Sequence, residues 1–504
     1  MTGDVGRGSR GGPPTGKVPR YRAPAVTESP RSASPIPQTA PRDPTPAFLE
    51  APDGVACIAI TGEHERLALV HDSLPAVVRR VALPAVASNL LMTLFGSVDA
   101  FWVGTRLGAR GLAAVTTSLF WIWLFVSVAE MVSVGLTAVA ARRHGERRPA
   151  EAARVAGEAL LLALVLGAAV AIAGIQSIDA LFGAMHAPPE VAQLGRRYLG
   201  TYLLGAPLIF GYFAVDATFR ASGDTRTPLL LLVASVVVTL VLDPLLILGL
   251  AGAPRLGIVG AAIATVGTRS VAFLLGVALL ARRRMVRIGV PRAATLAAIA
   301  RVGLPTAVTG VLFSLIYVVL TRTTTRFGTP ALAALGLGFR VESWLYMVGV
   351  GFGAAAAAIV GQNLGAGRAD RAERAGWITT AYATVPGVAA FVLALLVPER
   401  LAAIFSRDAL VIAEAANYLR IAAVSQLFVC AEVVLEGALG GAGATVPPML
   451  TSTALTASRV PLGAWAASRY GPAGLWWTIS LTAAARGIAM MGLWKAGWWK
   501  RRTV

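Results

Sequence analysis

Two aspartates lie inside long apolar stretches: Asp99 among Phe95, Val98, Phe101 and Trp102, and Asp243 in VVTLVLDPLLI, where every flanking residue is aliphatic or threonine apart from one proline. A charge at the centre of a bilayer costs about 2.5–3.5 kcal/mol on insertion scales, so such a group needs a partner or a task. Around Asp243 the chemistry converges. Thr239 lies four residues earlier, on the same helical face. Pro244 has no amide hydrogen, so the carbonyl of Leu240 loses its helical partner and can face a cavity as an acceptor. Carboxylate, hydroxyl and carbonyl on one turn are hard oxygen ligands, suited to a proton, a hydronium ion or Na+. Asp216 and Arg220 are spaced for an intrahelical salt bridge. Glu130, Glu342, Glu432 and Glu436 are also in or beside apolar segments, and Glu342 in GFRVESW follows Arg340, as expected of a polar patch lining a cavity. The four histidines, His64, His71, His144 and His186, map to loops or the tail, and Cys57 and Cys430 are far apart, so neither a metal cluster nor a nucleophile constellation is expected.

The elements that must carry these residues follow from composition. The chain has 504 residues, of which 56% are hydrophobic and only 14% charged. So little charge cannot cover the water-facing surface of a soluble protein of this size. A soluble enzyme is thereby disfavoured. Twelve apolar segments can be counted, centred near Asn89, Val126, Val165, Leu208, Val238, Val271, Ser314, Val348, Val388, Val429, Thr456 and Ala484. Each is long enough to cross a bilayer as a helix, and lipid leaves backbone groups no partner outside their own helix. The net charge of +19 is a membrane signature here rather than a nucleic-acid one, because the arginines sit between apolar runs. RRHGERRPAEAAR, RRRMVRIGVPR, GRADRAER and KAGWWKRR all fall on one side of a twelve-helix chain, which the positive-inside rule makes cytoplasmic, together with both termini. Residues 1–64 are rich in Pro, Arg, Ser and Gly and are expected to form a disordered cytoplasmic tail.

The two halves repeat in the same direction. LGARGLAA at Leu107 matches FGTPALAA at Phe327, Tyr198 matches Tyr418, and SGDTRTPLL matches AGATVPPML, each with a step of 220. Six helices per half keep the copies parallel, about an axis along the membrane normal. The expected fold is all-α and integral to the membrane, with twelve transmembrane helices in two six-helix bundles, residues 65–285 and 286–504, related by a pseudo-two-fold around a central cavity. A site between such bundles, opened alternately to either side, is transporter geometry.

GQNLGAGRADRAERA at Gly361–Ala375 resembles the loop after the eighth helix of the multidrug and toxic compound extrusion (MATE) family, and LPAVASNLLMTLFGSVDAFWVGTRLGARGLAA resembles its first span. FRASGDTRTPLL, LDPLLILG and LGIVGAAIAT are similar to the fourth to sixth helices of the DinF-like branch, so the similarity runs from about Leu74 to Trp494. GQNLGAG lacks both the GK[ST] ending and the preceding strand of a phosphate-binding loop. The resemblance implies a multi-pass protein of the cell membrane, not an enzyme, that exports an amphipathic and cationic organic compound in exchange for H+ or Na+ by alternating access. It implies no cofactor, no nucleic-acid partner and a monomer in the lipid bilayer. It places cation coupling at Asp99, Thr239, Asp243 and Thr265, with Thr239 standing where the branch commonly has Asn, and makes Asp99 and Asp243 the candidates for Na+. The seventh helix, GLPTAVTGVLFSLIY, lacks the glutamate that another branch carries, which favours coupling through the N-terminal bundle. Asp216, Glu342, Tyr317 and Trp344 are the candidates for the substrate cavity, the aromatics by stacking on a planar cation. The alternative is a lipid or lipid-linked oligosaccharide flippase of the same superfamily, for which basic residues would be expected in the cavity; the spans hold acids more often than bases.

Overall fold

The computed structural model describes residues 69–185, 189–252 and 254–502, so residues 1–64 and the tail expected there lie outside the described residues. All long elements are helices: α1 (Leu74–Gly145), α2 (Pro149–Ala184), α3 (Pro189–Leu204), α4 (Ala206–Ser222), α5 (Arg226–Leu248), α6 (Ile258–Arg282), α7 (Ala293–Thr325), α8 (Thr329–Gly365), α9 (Ala369–Leu396), α10 (Pro398–Ala403), α11 (Ala409–Gly441), α12 (Val446–Ala457) and α13 (Arg459–Lys495). Within α1 most side chains between 95 and 120, including that of Asp99, lie outside the described ones.

Nine stretches among the described residues are long and apolar enough to cross a membrane, two of them, Leu74–Leu94 and Thr117–Gly145, inside α1. The 72 residues of α1 would extend about 108 Å if straight, more than three times the hydrocarbon thickness. Both of its ends nevertheless meet the same segment. Asn363 donates to the carbonyl of Leu69, just before α1, while Gly145 at the far end packs on the carbonyl of Gln362. The segment therefore doubles back between its two apolar stretches and counts as two spans. The tenth span is the pair α3 and α4, bent by 53°. Pro207 at the start of α4 lacks the amide that would continue α3, and Gly167 of α2 lets Pro207 press against its backbone. The last two spans are diluted by Arg459, Arg469 and Arg486: α12 continues into the first part of α13, which breaks at Gly471 (φ 62°, ψ −152°) before Pro472. The total is the twelve expected.

The repeat extends to the hydrogen bonds of its turns. Asp224 N–H donates to Phe219 and, 220 residues on, Ala444 N–H donates to Leu439; Arg148 N–H donates to Arg143 and Arg368 N–H to Asn363. Gly223 and Gly443, with φ of 95° and 75°, occupy the left-handed conformation that both turns require.

The halves meet through glycines. A Cβ on Gly145 would lie 2.0 Å from the Gln362 carbonyl oxygen, and one on Gly365 would lie 2.1 Å from that of Arg142, the same contact seen from the other repeat. Gly303 packs on Met131 and Gly351 on Val86 in the same backbone-to-backbone way. Small residues permit this approach where lipid supplies no hydrophobic drive. Among the described residues, the hydrogen bonds between the halves lie at the arginine-rich end: Gln362 to the Ala221 carbonyl (2.7 Å), Asn363 to Leu69 (3.3 Å), Arg368 to Val70 (2.8 Å), Arg371 to Leu69 and Asp72, and the Arg287 N–H to the Ala153 carbonyl (2.8 Å). The protein is thus sealed at that end. Beside the seal the C-terminal turn is fastened by stacked Trp494 and Trp499, 3.9 Å apart, and by Lys500, whose hydrogen bond to Glu373 (2.6 Å) holds the ammonium pKa above its ordinary range.

Candidate functional site

Asp243 sits in α5 with no measurable exposure, and Thr239, Thr265 and Thr268 are buried around it. The register of α5 on α6 is fixed at two points. Gly260 packs on the backbone of Leu246, and the hydroxyls of Thr239 and Thr268 are hydrogen-bonded at 2.8 Å. Between these points, on antiparallel helices, Asp243 comes level with Ile263 and Ala264, within one turn of Thr265. Thr239 also bonds back to the carbonyl of Ser235, as membrane threonines commonly do, so its cross-helix bond serves to hold α5 against α6. Thr265 differs: its hydroxyl oxygen is buried with no hydrogen-bond partner. Pro244 stands inside α5 and leaves the Leu240 carbonyl without its usual donor. Carboxylate, free hydroxyl and free carbonyl are hard oxygen donors, a set that fits a proton or a small monovalent cation as cargo. Asp99, the remaining residue of this group in the sequence, has its side chain outside the described ones.

The second half carries a polar network that sequence reasoning largely missed. Glu342 accepts from the Tyr418 hydroxyl (2.9 Å) and from Gln426 (2.8 Å). Glu432 pairs with Arg486 at 3.1 Å, and Arg486 also reaches Thr456. Arg459, 1% exposed, donates to Thr482 (2.7 Å), to the Ile479 carbonyl and to the Tyr317 hydroxyl, and lies over the Tyr317 ring. The signal that would have found Arg459 is the repeat: 220 residues before it stands Thr239. Asp243 likewise corresponds to Gly463. Where the first half places acceptors for a cation, the second half places a guanidinium of its own. Buried ions need such partners, because breaking one pair costs roughly 3–5 kcal/mol.

The residues expected in the substrate cavity separate. Asp216 is held by Arg220 at 2.8 Å, and Arg220 also reaches Ser133. Glu342 lines a crevice of about 110 Å³ within the second half, beside Ala390, Leu393 and Gln426, while Arg340 lines a different cleft of about 400 Å³ with Phe405 and Ser406. Tyr317 is engaged by Arg459, and Trp344 is exposed. Glu342 and Tyr317 share the network of Tyr418 and Arg459 in the second half, while Asp216 lies in the first.

The MatE family model matches the chain twice, over residues 84–245 and 305–465, so the two matches reproduce the internal repeat. The FAD transporter of Shewanella oneidensis is 30% identical over 347 residues, covering 67% of this chain and 76% of that protein. The probable multidrug resistance protein NorM of Thermotoga maritima is 28% identical, over 84% of this chain and 93% of its own length. Among solved structures, the outward-facing conformation of a multidrug resistance MATE family transporter of the MOP superfamily superposes with a TM-score of 0.81 at 24% identity, over 87% of this chain and 99% of the other.

Proposed function

The chain belongs to the MatE family of multi-pass membrane transporters, and on that premise we propose that it is a secondary active antiporter that exports amphipathic organic cations in exchange for H+ or Na+. The observation that carries this reading is the buried oxygen set at Asp243, matched in the second half by the tethered guanidinium of Arg459. Coupling then belongs to the first half, at Asp243 with Thr265, and at Asp99 of the first span. The arginine bias supports a cytoplasmic location for the sealed end, in which case the conformation described is closed toward the cytoplasm.

In the cycle, loading of the Asp243 site must favour one conformation and emptying the other, because a ligand shifts an equilibrium only by its differential affinity. A cation held by the Asp243 carboxylate is released when the site opens to the cytoplasm and water takes its place. The acids of the spans favour a cationic substrate over the pyrophosphate of a lipid-linked oligosaccharide. Reconstituted protein should expel ethidium from proteoliposomes when a proton or sodium gradient is imposed. Asp99→Asn and Asp243→Asn should insert normally and lose gradient-driven efflux, whereas Asp216→Asn should lose far less. Undiminished gradient dependence in both single variants, at matched protein levels, would overturn the site.

A further inference from the structure

Helix α11 of the second half meets the second apolar stretch of α1 where Gly440 lies against Val134; a Cβ on that glycine would be 3.7 Å from Cγ1 of Val134. One turn farther from the sealed end, on the same faces, stand Glu436 and Glu130. Helix α8 completes the group. Gly353 and Gly437 bring α8 and α11 into backbone contact, and Tyr346, two turns from Gly353, lies within electrostatic reach of Glu130, Glu432, Glu436 and Arg486. Glu130 and Tyr346 are exposed and Glu436 is half-buried, so all three border open space.

The charges here do not balance. Arg486 is committed to Glu432, whose second oxygen, on a side chain 6% exposed, is buried without a hydrogen-bond partner. The nearest guanidinium in the first half, Arg220, is committed to Asp216 and Ser133. Glu130 and Glu436 have neither a hydrogen bond nor an ion pair among the described residues, although one comes from each half.

We propose that Glu130 and Glu436, with the ring of Tyr346, form the subsite for the positively charged group of the exported compound. This rests on the transporter reading above and names its substrate contact, in place of Asp216 and Glu342, whose carboxylates are already satisfied. An ammonium or aromatic cation there is shared by two carboxylates in a weakly screening environment and lies against an aromatic face. Because the acids come from different halves, a bound cation also ties the halves together in the sealed conformation.

The test uses the purified full chain with ethidium as the cationic probe and Nile red as a neutral one, both read by fluorescence. Glu130→Gln and Glu436→Gln should each weaken ethidium binding by about tenfold, equivalent to about 1.4 kcal/mol, at unchanged melting temperature. The double variant should weaken it further, Glu342→Gln should leave it unchanged, and Nile red should bind all of them alike. Wild-type ethidium affinity in both single variants would overturn the subsite while leaving the antiporter reading intact. So would an equal loss for Nile red, which would mark general damage to the cavity. Failure of the wild type to bind or transport ethidium or tetraphenylphosphonium would overturn both readings.

Discussion

Replacing Gly365 by alanine should drive the protein out of its sealed conformation. The new methyl would sit 2.1 Å from the carbonyl oxygen of Arg142, 2.9 Å from its carbonyl carbon and 3.1 Å from its Cα, where ordinary contact begins at 3.4 Å. All three neighbours are backbone, so no side chain can swing aside, and the helices must part by about 1 Å, an overpacking cost of about 1–3 kcal/mol. That cost exists only while the halves touch. In a conformation with this end open the methyl meets water or nothing, so the whole penalty appears as a shift between conformations, about 30-fold for 2 kcal/mol. The assay is the rate at which a single cysteine at Ala221, buried beneath the Gln362 hydrogen bond, reacts with a maleimide in a background lacking Cys57 and Cys430. It should rise steeply in Gly365→Ala and in Gly145→Ala, and stay unchanged in Gly492→Ala, where a Cβ meets nothing within 4 Å. Equal labelling of the sealed-end variants and the control would refute the argument that backbone packing at these glycines holds the seal.

Two further outcomes are expected. Arg459→Lys should lower the melting temperature by several degrees, because one ammonium cannot replace three directed donors to Thr482, Ile479 and Tyr317 in a site 1% exposed; an unchanged melting curve would show those bonds to be dispensable. Single cysteines at Arg148 and Arg407, in the same cysteine-free background, should be labelled from opposite sides of intact cells, the first only from the cytoplasm, and same-side labelling would contradict the twelve-span topology.

The spans were legible because hydrophobic length is a strong signal, and the repeat because a step of 220 survives in turn glycines such as Gly223 and Gly443 that must hold a left-handed conformation. Asp243 was legible as an acid among aliphatic residues. Thr268 was not, since its cross-helix bond to Thr239 depends on how α5 lies on α6, which no single segment encodes. Arg459 was hidden for a different reason. It lies in RVPLGAWAASRYGP, a stretch that looks like the end of a span and a loop, and only tertiary packing buries it against Tyr317 and Thr482. Glu432 and Glu436 were visible as acids, but the pairing of one with Arg486 and the openness of the other follow from helix rotation.

The exchange of Thr239 in one repeat for Arg459 in the other bears on the energetics of turnover. Under the antiporter proposal, a guanidinium tethered in the second half leaves the exchangeable cation to the first half. On that reading, export of one monovalent cation against one H+ or Na+ moves no net charge across the membrane. Turnover would then follow the concentration difference of that ion and be blind to voltage, a property open to electrical recording on a supported bilayer.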